Sequence, residues 1–275
     1  MKNFKDKVFA ITGCGSGIGQ QLALQLAAKG AKLAINDYNE NGLNSTIDLL
    51  NKQNATFIST LFDVSKKQNW IDWHAEILKE FEEIDGLINN AGVALDKIAL
   101  CDVKEADLKW IMDINVWGLM HGSRVFLPSL IKSKEASLVN ISSIFGVAGI
   151  AEQVPYCTTK FAVRGFTEAL RMELQPTHPN VCVQVVHPGG IGTNIVRNGR
   201  TNSNEQFKET IREFDDKLVR MTAEKCASII IKGIEKKKQK ILVGNDAWLL
   251  DKLVRNFPVS YSRFLNWGKK KRGIS

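Results

Sequence analysis

Tyr156 and Lys160 stand four residues apart in Pro155-Tyr-Cys-Thr-Thr-Lys-Phe-Ala-Val-Arg-Gly-Phe-Thr-Glu-Ala-Leu. Pro155 suits a first helical turn, and apolar residues recur behind it at helical spacing. Residues four apart on a helix share a face, so an ammonium is expected beside a phenol. A free phenol titrates near about 10 and is a poor base at neutral pH. A neighbouring cation favours phenolate, so the pair predicts a group that can take or give a proton at working pH. Taken alone, such a pair is most often an ordinary helix face. The rest of the chain decides between the two.

Near the start, Lys7-Val-Phe-Ala-Ile-Thr12 reads as a buried strand, and Gly13-Cys-Gly-Ser-Gly-Ile-Gly19 follows at once. Gln20 to Lys29 has one apolar side and ends at Gly30, which predicts a helix, and Ala31 to Asn36 reads as a second strand ending in Asp37. A strand, a glycine turn, a helix, a strand and an acid, in that order, begin a dinucleotide-binding unit. Glycines let the backbone approach a pyrophosphate at the positive helix N-terminus. The spacing here, Thr-Gly-x-x-x-Gly-x-Gly, is wider than the usual Gly-x-Gly-x-x-Gly. Asp37 falls about 18 residues past the last turn glycine, where a carboxylate accepts from a ribose 2′-hydroxyl and repels a 2′-phosphate. Its neighbours Asn36 and Tyr38 carry no charge, nor does Ser16 in the turn. NAD is therefore expected rather than NADP.

Strand and helix patterns keep alternating. Helices are expected over Asn41 to Gln53, Lys66 to Glu80 and Thr222 to Glu235, and one long or two shorter ones from Lys104 to Leu130, ending near Pro128. Strands are expected at Thr56 to Phe62, Ile84 to Ile88, Ser137 to Ile141, Val181 to Val186 and Lys240 to Val243. Such interleaving implies an α/β fold, a doubly wound parallel sheet with helices on both faces and ligands at the strand carboxyl ends. Asn194 to Arg220 breaks the pattern as a polar insertion with an amphipathic helix around Phe207 to Leu218, which suits either a substrate lid spanning about residues 190–220 or a plain surface loop.

Composition sets bounds on function. At 275 residues with 44% hydrophobic and 24% charged content, the chain can bury a large core. No apolar run reaches the about 18 residues of a membrane span, and the chain enters a strand pattern from its first residues without a secretory signal, so a cytoplasmic protein is expected. Five scattered cysteines (Cys14, Cys101, Cys157, Cys182, Cys226) lack CxxC spacing and read as free thiols. The four histidines (His74, His121, His178, His187) have no ligand spacing, so no metal is expected. The net charge of +8 is concentrated at one end, with twelve Lys/Arg against three Asp/Glu from Lys232 to Ser275. A basic tail on a near-neutral body argues against a nucleic-acid groove.

Taken together, these motifs resemble the short-chain dehydrogenase/reductase family. The resemblance rests on Thr12-Gly-x-x-x-Gly17-x-Gly19, Asp63-Val64, Asn89-Asn-Ala-Gly92, Asn115-Val-Trp-Gly118, Ser143, Tyr156-x-x-x-Lys160, and Pro188-Gly189 with Thr193. It implies a single Rossmann-type domain over residues 1–245 with a parallel sheet of about seven strands. It implies Tyr156 as general acid/base and Lys160 lowering its pKa while holding the nicotinamide ribose. Ser143 would bond the reacting oxygen, and Asn115 would hold a water linking Lys160 to solvent. Cofactor contacts are implied for Gly13, Ser16, Gly17, Ile18, Gly19 and Asp37, and for Asp63 and Val64 at the adenine. Asn89, Ala91 and Gly92 would close the cleft, and Pro188, Gly189, Ile191 and Thr193 would approach the nicotinamide. The family also commonly forms homodimers or homotetramers through the helix bearing Tyr156 and the one before it.

The implied activity is NAD-dependent interconversion of a hydrophobic alcohol and its ketone or aldehyde. The substrate wall is expected to include Leu95, Phe145, Gln153 and Ile195, mostly apolar. A 3-oxoacyl-type carbonyl reductase is the alternative enzyme, and a dinucleotide sensor without turnover the alternative outside enzymes. Residues 246–275 form a basic extension with Leu249, Leu250, Leu253, Val254 and Phe257 on one helical face, then Lys269-Lys-Lys-Arg272. This extension suits an anionic membrane surface, a subunit contact, or packing over the fold's own pocket.

Overall fold

The structure is a computed structural model that describes residues 3–195, 197, 199–201, 208, 210–212 and 219–265. Seven strands form one parallel sheet: β1 (Val8–Thr12), β2 (Lys32–Asp37), β3 (Phe57–Leu61), β4 (Gly86–Asn89), β5 (Ala136–Ile141), β6 (Val181–Pro188) and β9 (Lys240–Val243). Their order, β3-β2-β1-β4-β5-β6-β9, reverses between β1 and β4, which opens a crevice at the carboxyl ends there. Two short strands, β7 (Ile191–Gly192) and β8 (Met221–Thr222), pair in parallel and close the base of the insertion.

Alternate residues of each strand face opposite sides, so the sheet divides two cores. Phe9 and Ile11 of β1 join Leu22 and Leu26 of helix α1 (Gly17–Ala27) and Ile230 and Ile234 of helix α7 (Ala223–Glu235) on one side. On the other side, Val8 and Ala10 meet Trp70, Trp73 and Ile77 of α3 (Lys67–Phe81), Phe126 of α5 (Leu119–Lys132) and Leu174 of α6 (Val154–Leu174). Phe62, Trp70, Trp73 and Phe126 form a nest of rings with centroids 5.2 to 5.9 Å apart. Gly122 is required beneath it, because a Cβ there would meet the Trp70 ring at 2.4 Å. Helix α2 (Glu40–Lys52) flanks β2 and β3. None of the helices among the described residues is long and apolar enough to cross a membrane.

The long helical stretch expected from Lys104 is broken in two. Helix α4 (Glu105–Met112) passes through a π-helical turn, Asp113–Gly118, into α5. Pro128 lies inside α5 rather than at its end, and the helix runs on to Lys132. Full burial of Leu130 offsets the hydrogen bond that Pro128 cannot donate. Of the helix expected at Phe207 to Leu218, residues 208 and 210–212 are helical, and the rest lies outside the described residues. The last helix, α8 (Asn245–Asn256), carries Leu249, Leu250 and Leu253, and residues 261–265 are again helical.

Candidate active site

A cavity of about 1440 Å³ runs along the carboxyl ends of the strands, from the glycine turn to the far end of α8. At one end, Gly13 and Gly17 adopt φ of 70° and 57°, open to glycine at little cost. A Cβ on Gly13 would lie 2.9 Å from the Ala91 Cα, and one on Gly17 would lie 3.2 Å from the Thr193 Cγ2. Ser16 precedes α1 without capping it, which leaves the first amides of that helix for an anion. This backbone cradle, lined by Gly13, Gly15, Ser16, Gly17 and Ile18, fits the pyrophosphate of a dinucleotide. Gly19 does not line it. A Cβ there would fall 2.0 Å from the Gly13 carbonyl oxygen, so this glycine allows α1 to pack on the turn instead.

Asp37 faces the same end and also braces the turn. Its Oδ2 accepts from the Gly15 amide at 2.7 Å, and its Oδ1 from the Asn39 amide at 2.8 Å. An ionised carboxylate has lone pairs left over for a further donor. Asp63 and Val64 line the rim, held by the Trp70 indole donating to the Val64 carbonyl at 2.8 Å and Asn69 donating to the Asp63 carbonyl at 3.1 Å. Ala91 and Gly92 line the cleft too, and the Thr12 hydroxyl accepts from the Ala91 amide at 3.1 Å.

Asn89, expected to close this cleft, is buried below it. Side chains alternate along β4, and Asn89 points toward α5, donating to Ser123 at 3.1 Å and to the Asn140 Oδ1 at 2.8 Å. Asn90 stands in the cleft in its place, donating to the carbonyls of Thr12 at 2.9 Å and Gly13 at 3.0 Å. Strict alternation applied to Asn89-Asn90 would have told the two apart.

At the other end, Ser143, Tyr156 and Lys160 line the cavity together. The Ser143 side chain lies beside the Tyr156 phenol and pulls its pKa down. Ser143 Oγ also accepts from the Phe145 amide at 3.1 Å, which fixes its direction. Asn115 lies in the π-helical turn, where its side chain accepts from the Val93 amide at 2.8 Å and donates to the Val93 carbonyl at 2.9 Å. A Cβ on Gly92 would stand 3.3 Å from both the Asn115 Oδ1 and the Lys160 Nζ, so a bare glycine keeps the gap between them open.

Burial governs the acidity of both Lys160 and Tyr156. Lys160 is 3% exposed, its Nζ donates to the Ile141 carbonyl at 3.1 Å, and it lies 5.5 Å from the Tyr156 ring centroid. Burial pushes Tyr156 up to about 12, against the pull of the Ser143 bond. Burial pushes Lys160 down to about 8. Desolvation is the largest cause of both shifts.

His187, which the sequence did not mark, supports Ser143 from below. It is fully buried at the end of β6, its Nδ1 lies 2.9 Å from the Ser143 carbonyl oxygen, and its Nε2 has no partner. Burial pushes it down to about 4, so the ring is neutral and donates through Nδ1. Its position immediately before Pro188-Gly189 was the available signal.

Leu95, Phe145, Gln153 and Ile195, expected at the substrate wall, line the cavity, as do Pro188, Gly189, Ile191 and Thr193, expected near the nicotinamide. The Phe145 ring meets Tyr156 edge-on at 6.0 Å. Arg200 draws part of the insertion over the opening by a bridge to Leu95, an ion pair with Asp107 at 3.0 Å and a guanidinium 4.1 Å from the Trp110 ring centroid. The extension closes another side. Asp246, Leu249, Leu250, Leu253, Phe264 and Leu265 line the cavity. Sequence periodicity predicted that helix but not what it faces.

Comparison with known proteins agrees with this architecture. The family model for short chain dehydrogenases matches residues 7–204. SadH of Mycobacterium tuberculosis, which bears an oxidoreductase name, is 37% identical over 275 residues, with 98% of each chain covered. A CLA biosynthesis dehydrogenase/reductase of Lactiplantibacillus plantarum is 34% identical over 196 residues, 71% of this chain and 68% of that one. The solved structure of a short chain dehydrogenase/reductase from Burkholderia phymatum in complex with NAD superposes with a TM-score of 0.86 at 27% identity, covering 93% and 95% of the chains. The chain belongs to the short-chain dehydrogenase/reductase family, and its class of activity is that of an oxidoreductase.

Proposed function

We propose that the protein interconverts a hydrophobic alcohol and its ketone or aldehyde with NAD(H). One observation carries this reading: the Ser143–Tyr156 pair opens into the same cavity as the glycine cradle and Asp37. The cradle would hold the pyrophosphate, and Asp37 the ribose hydroxyls of NAD. Asp63 and Val64 would flank the adenine, and Ile191 and Thr193 the nicotinamide. The solved relative bound to NAD supports a nicotinamide cofactor, and the uncharged flanks of Asp37 favour NAD over NADP.

When bound, the cofactor supplies or accepts the hydride. The chain's own residues then handle the proton. Tyr156, its pKa raised by burial, is the acid that gives its proton to the carbonyl oxygen during reduction. In oxidation the phenolate takes the hydroxyl proton, which requires a positive charge nearby to bring the phenol down from about 12. Ser143 donates to the same substrate oxygen and fixes it for reaction. Lys160 would hold the nicotinamide ribose and, across the gap at Gly92, pass protons toward Asn115. The mainly apolar walls favour a substrate without charge.

Exposed Trp117, Phe161 and Met172 on α6 and the π-helical turn before α5 support association of copies through that face, as a homodimer or homotetramer. Contact of the basic tail with an anionic membrane surface is a further proposal, checked by liposome co-sedimentation. The activity test is absorbance at the reduced-nicotinamide band, with NAD⁺ or NADP⁺ and a panel of apolar secondary and long-chain primary alcohols. Turnover with NAD⁺ is expected. A clear preference for NADP⁺ would overturn the assignment of Asp37 and favour the carbonyl-reductase alternative.

A further inference from the structure

Residues 245–265 leave the sheet after β9 and return to the catalytic end of the cavity. Three anchors hold them there. Asp246 Oδ2 accepts from the Gly190 amide at 2.8 Å. A Cβ on Gly189 would lie 2.2 Å from that carboxylate, and one on Gly244 (φ 105°) would lie 2.3 Å from it, so both glycines are shaped around Asp246. Asp251, 8% exposed, is paired with Lys240 of β9 and with Arg255, which fastens α8 to the edge strand. Tyr261 then accepts from the Gly149 amide at 3.0 Å through its hydroxyl, and Phe257 and Phe264 meet with ring centroids 5.3 Å apart.

The first and last of these anchors sit on the Pro188-Gly189-Gly190 turn and on the loop that follows Ser143, and α8 packs against the Ile144–Gly146 turn. Between the anchors, the segment turns Leu249, Leu250 and Leu253 to the cavity, and just past the last anchor it adds Phe264. Its one charged lining residue, Asp246, is bonded to Gly190. Leu249 is 63% exposed and Phe264 47% exposed although both line the cavity, so they form an apolar lip at its mouth. Apolar surface left facing a cavity is stabilised by an apolar ligand that covers it.

We infer that residues 245–265 are the specificity wall of the active site, and that they select substrates with an extended apolar portion beyond the reacting carbon. This rests on the proposed function. Asp246 is a positioning residue that ties the wall to the turn expected beside the nicotinamide. A short polar substrate would leave the leucines uncovered, whereas an alkyl chain would bury them.

The test is kcat/KM for 2-alkanols from 2-butanol to 2-dodecanol with NAD⁺, in the wild type, Leu253→Trp and Tyr261→Phe. Wild-type kcat/KM is expected to rise about fourfold per added methylene until the wall is filled, from about 0.8 kcal/mol for each buried CH₂. Leu253→Trp fills the slot and lowers the long-to-short ratio at least tenfold. Tyr261→Phe loosens the far anchor and lowers it about threefold. NADH titration by fluorescence checks that each variant is folded. A flat wild-type series, or an unchanged ratio in Leu253→Trp, would overturn the wall.

If no alkanol is turned over, the proposed function fails separately, and the wall is read by binding alone. The neutral probe N-phenyl-1-naphthylamine should then be displaced by 2-dodecanol far better than by 2-butanol, with the difference lost in Leu253→Trp. Equal displacement by the two alcohols would overturn the wall on its own.

Discussion

The two ends of the cavity are built on opposite principles. The glycine-turn end is contiguous in the chain: Gly13 to Gly19 and Asp37 lie within one strand–helix–strand unit, and its cradle is backbone braced by the Asp37 carboxylate. The catalytic end gathers Leu95, Ser143, Tyr156, Ile195 and Leu253 from across the chain, and its chemistry depends on side chains. Backbone amides keep their polarity wherever they are placed, so spacing alone specifies the first end. Side-chain acidity depends on burial, so the second end is specified only once the fold has closed around it. Lys160 and Tyr156 illustrate the difference, because burial shifts the acidity of both, which their spacing does not specify.

The largest effect should come from cutting the catalytic end away from the other. Tyr156→Phe is expected to lose turnover by about 10²- to 10⁴-fold while NADH affinity, measured by fluorescence titration, stays within about threefold. A comparable loss of NADH affinity would show that the two ends do not separate in this way.

Next comes the buried His187, whose folded pKa of about 4 lies below the ordinary 6.5. Between those values the unfolded chain binds the proton and the folded one does not. Stability is therefore full above about pH 6.5 and falls as the pH drops toward 4, by about 3 kcal/mol in all. Denaturant unfolding of wild type and His187→Gln across that window should show a flatter pH dependence in the variant. Parallel curves would remove His187 from the account of the catalytic end.

At the glycine-turn end, Asp37→Ser should lower kcat/KM for NAD⁺ roughly tenfold to a hundredfold, the worth of a charged hydrogen bond, and narrow the gap to NADP⁺. Loss of the Gly15 bond should also lower thermal stability in the same variant. The smallest signal is spectroscopic. The phenolate absorbance that distinguishes wild type from Tyr156→Phe should appear near pH 12 without cofactor and at lower pH with NAD⁺. An unmoved titration would mean that the bound cofactor does not switch the phenol.

Sequence by itself determined the parallel seven-stranded fold, because short apolar strands alternating with amphipathic helices can bury their faces only in a doubly wound sheet. It also determined the glycine cradle, Asp37 and the Tyr156/Lys160 face, since each depends on spacing within one element or one turn. Neighbouring side chains were harder to assign. Asn89 and Asn90 differ by one residue and point to opposite sides of a strand, so a motif named both while only the pleat chose between them.

Tertiary structure decided the rest. It turned α8 toward the cavity, placed Asp246 against Gly190 across a sequence gap that no periodicity spans, and set His187 under Ser143. It also set the desolvation that raises Tyr156 and lowers Lys160, since burial depends on the water that the completed fold excludes. Local pattern is written along the chain; desolvation and long-range contact exist only after the chain has closed on itself.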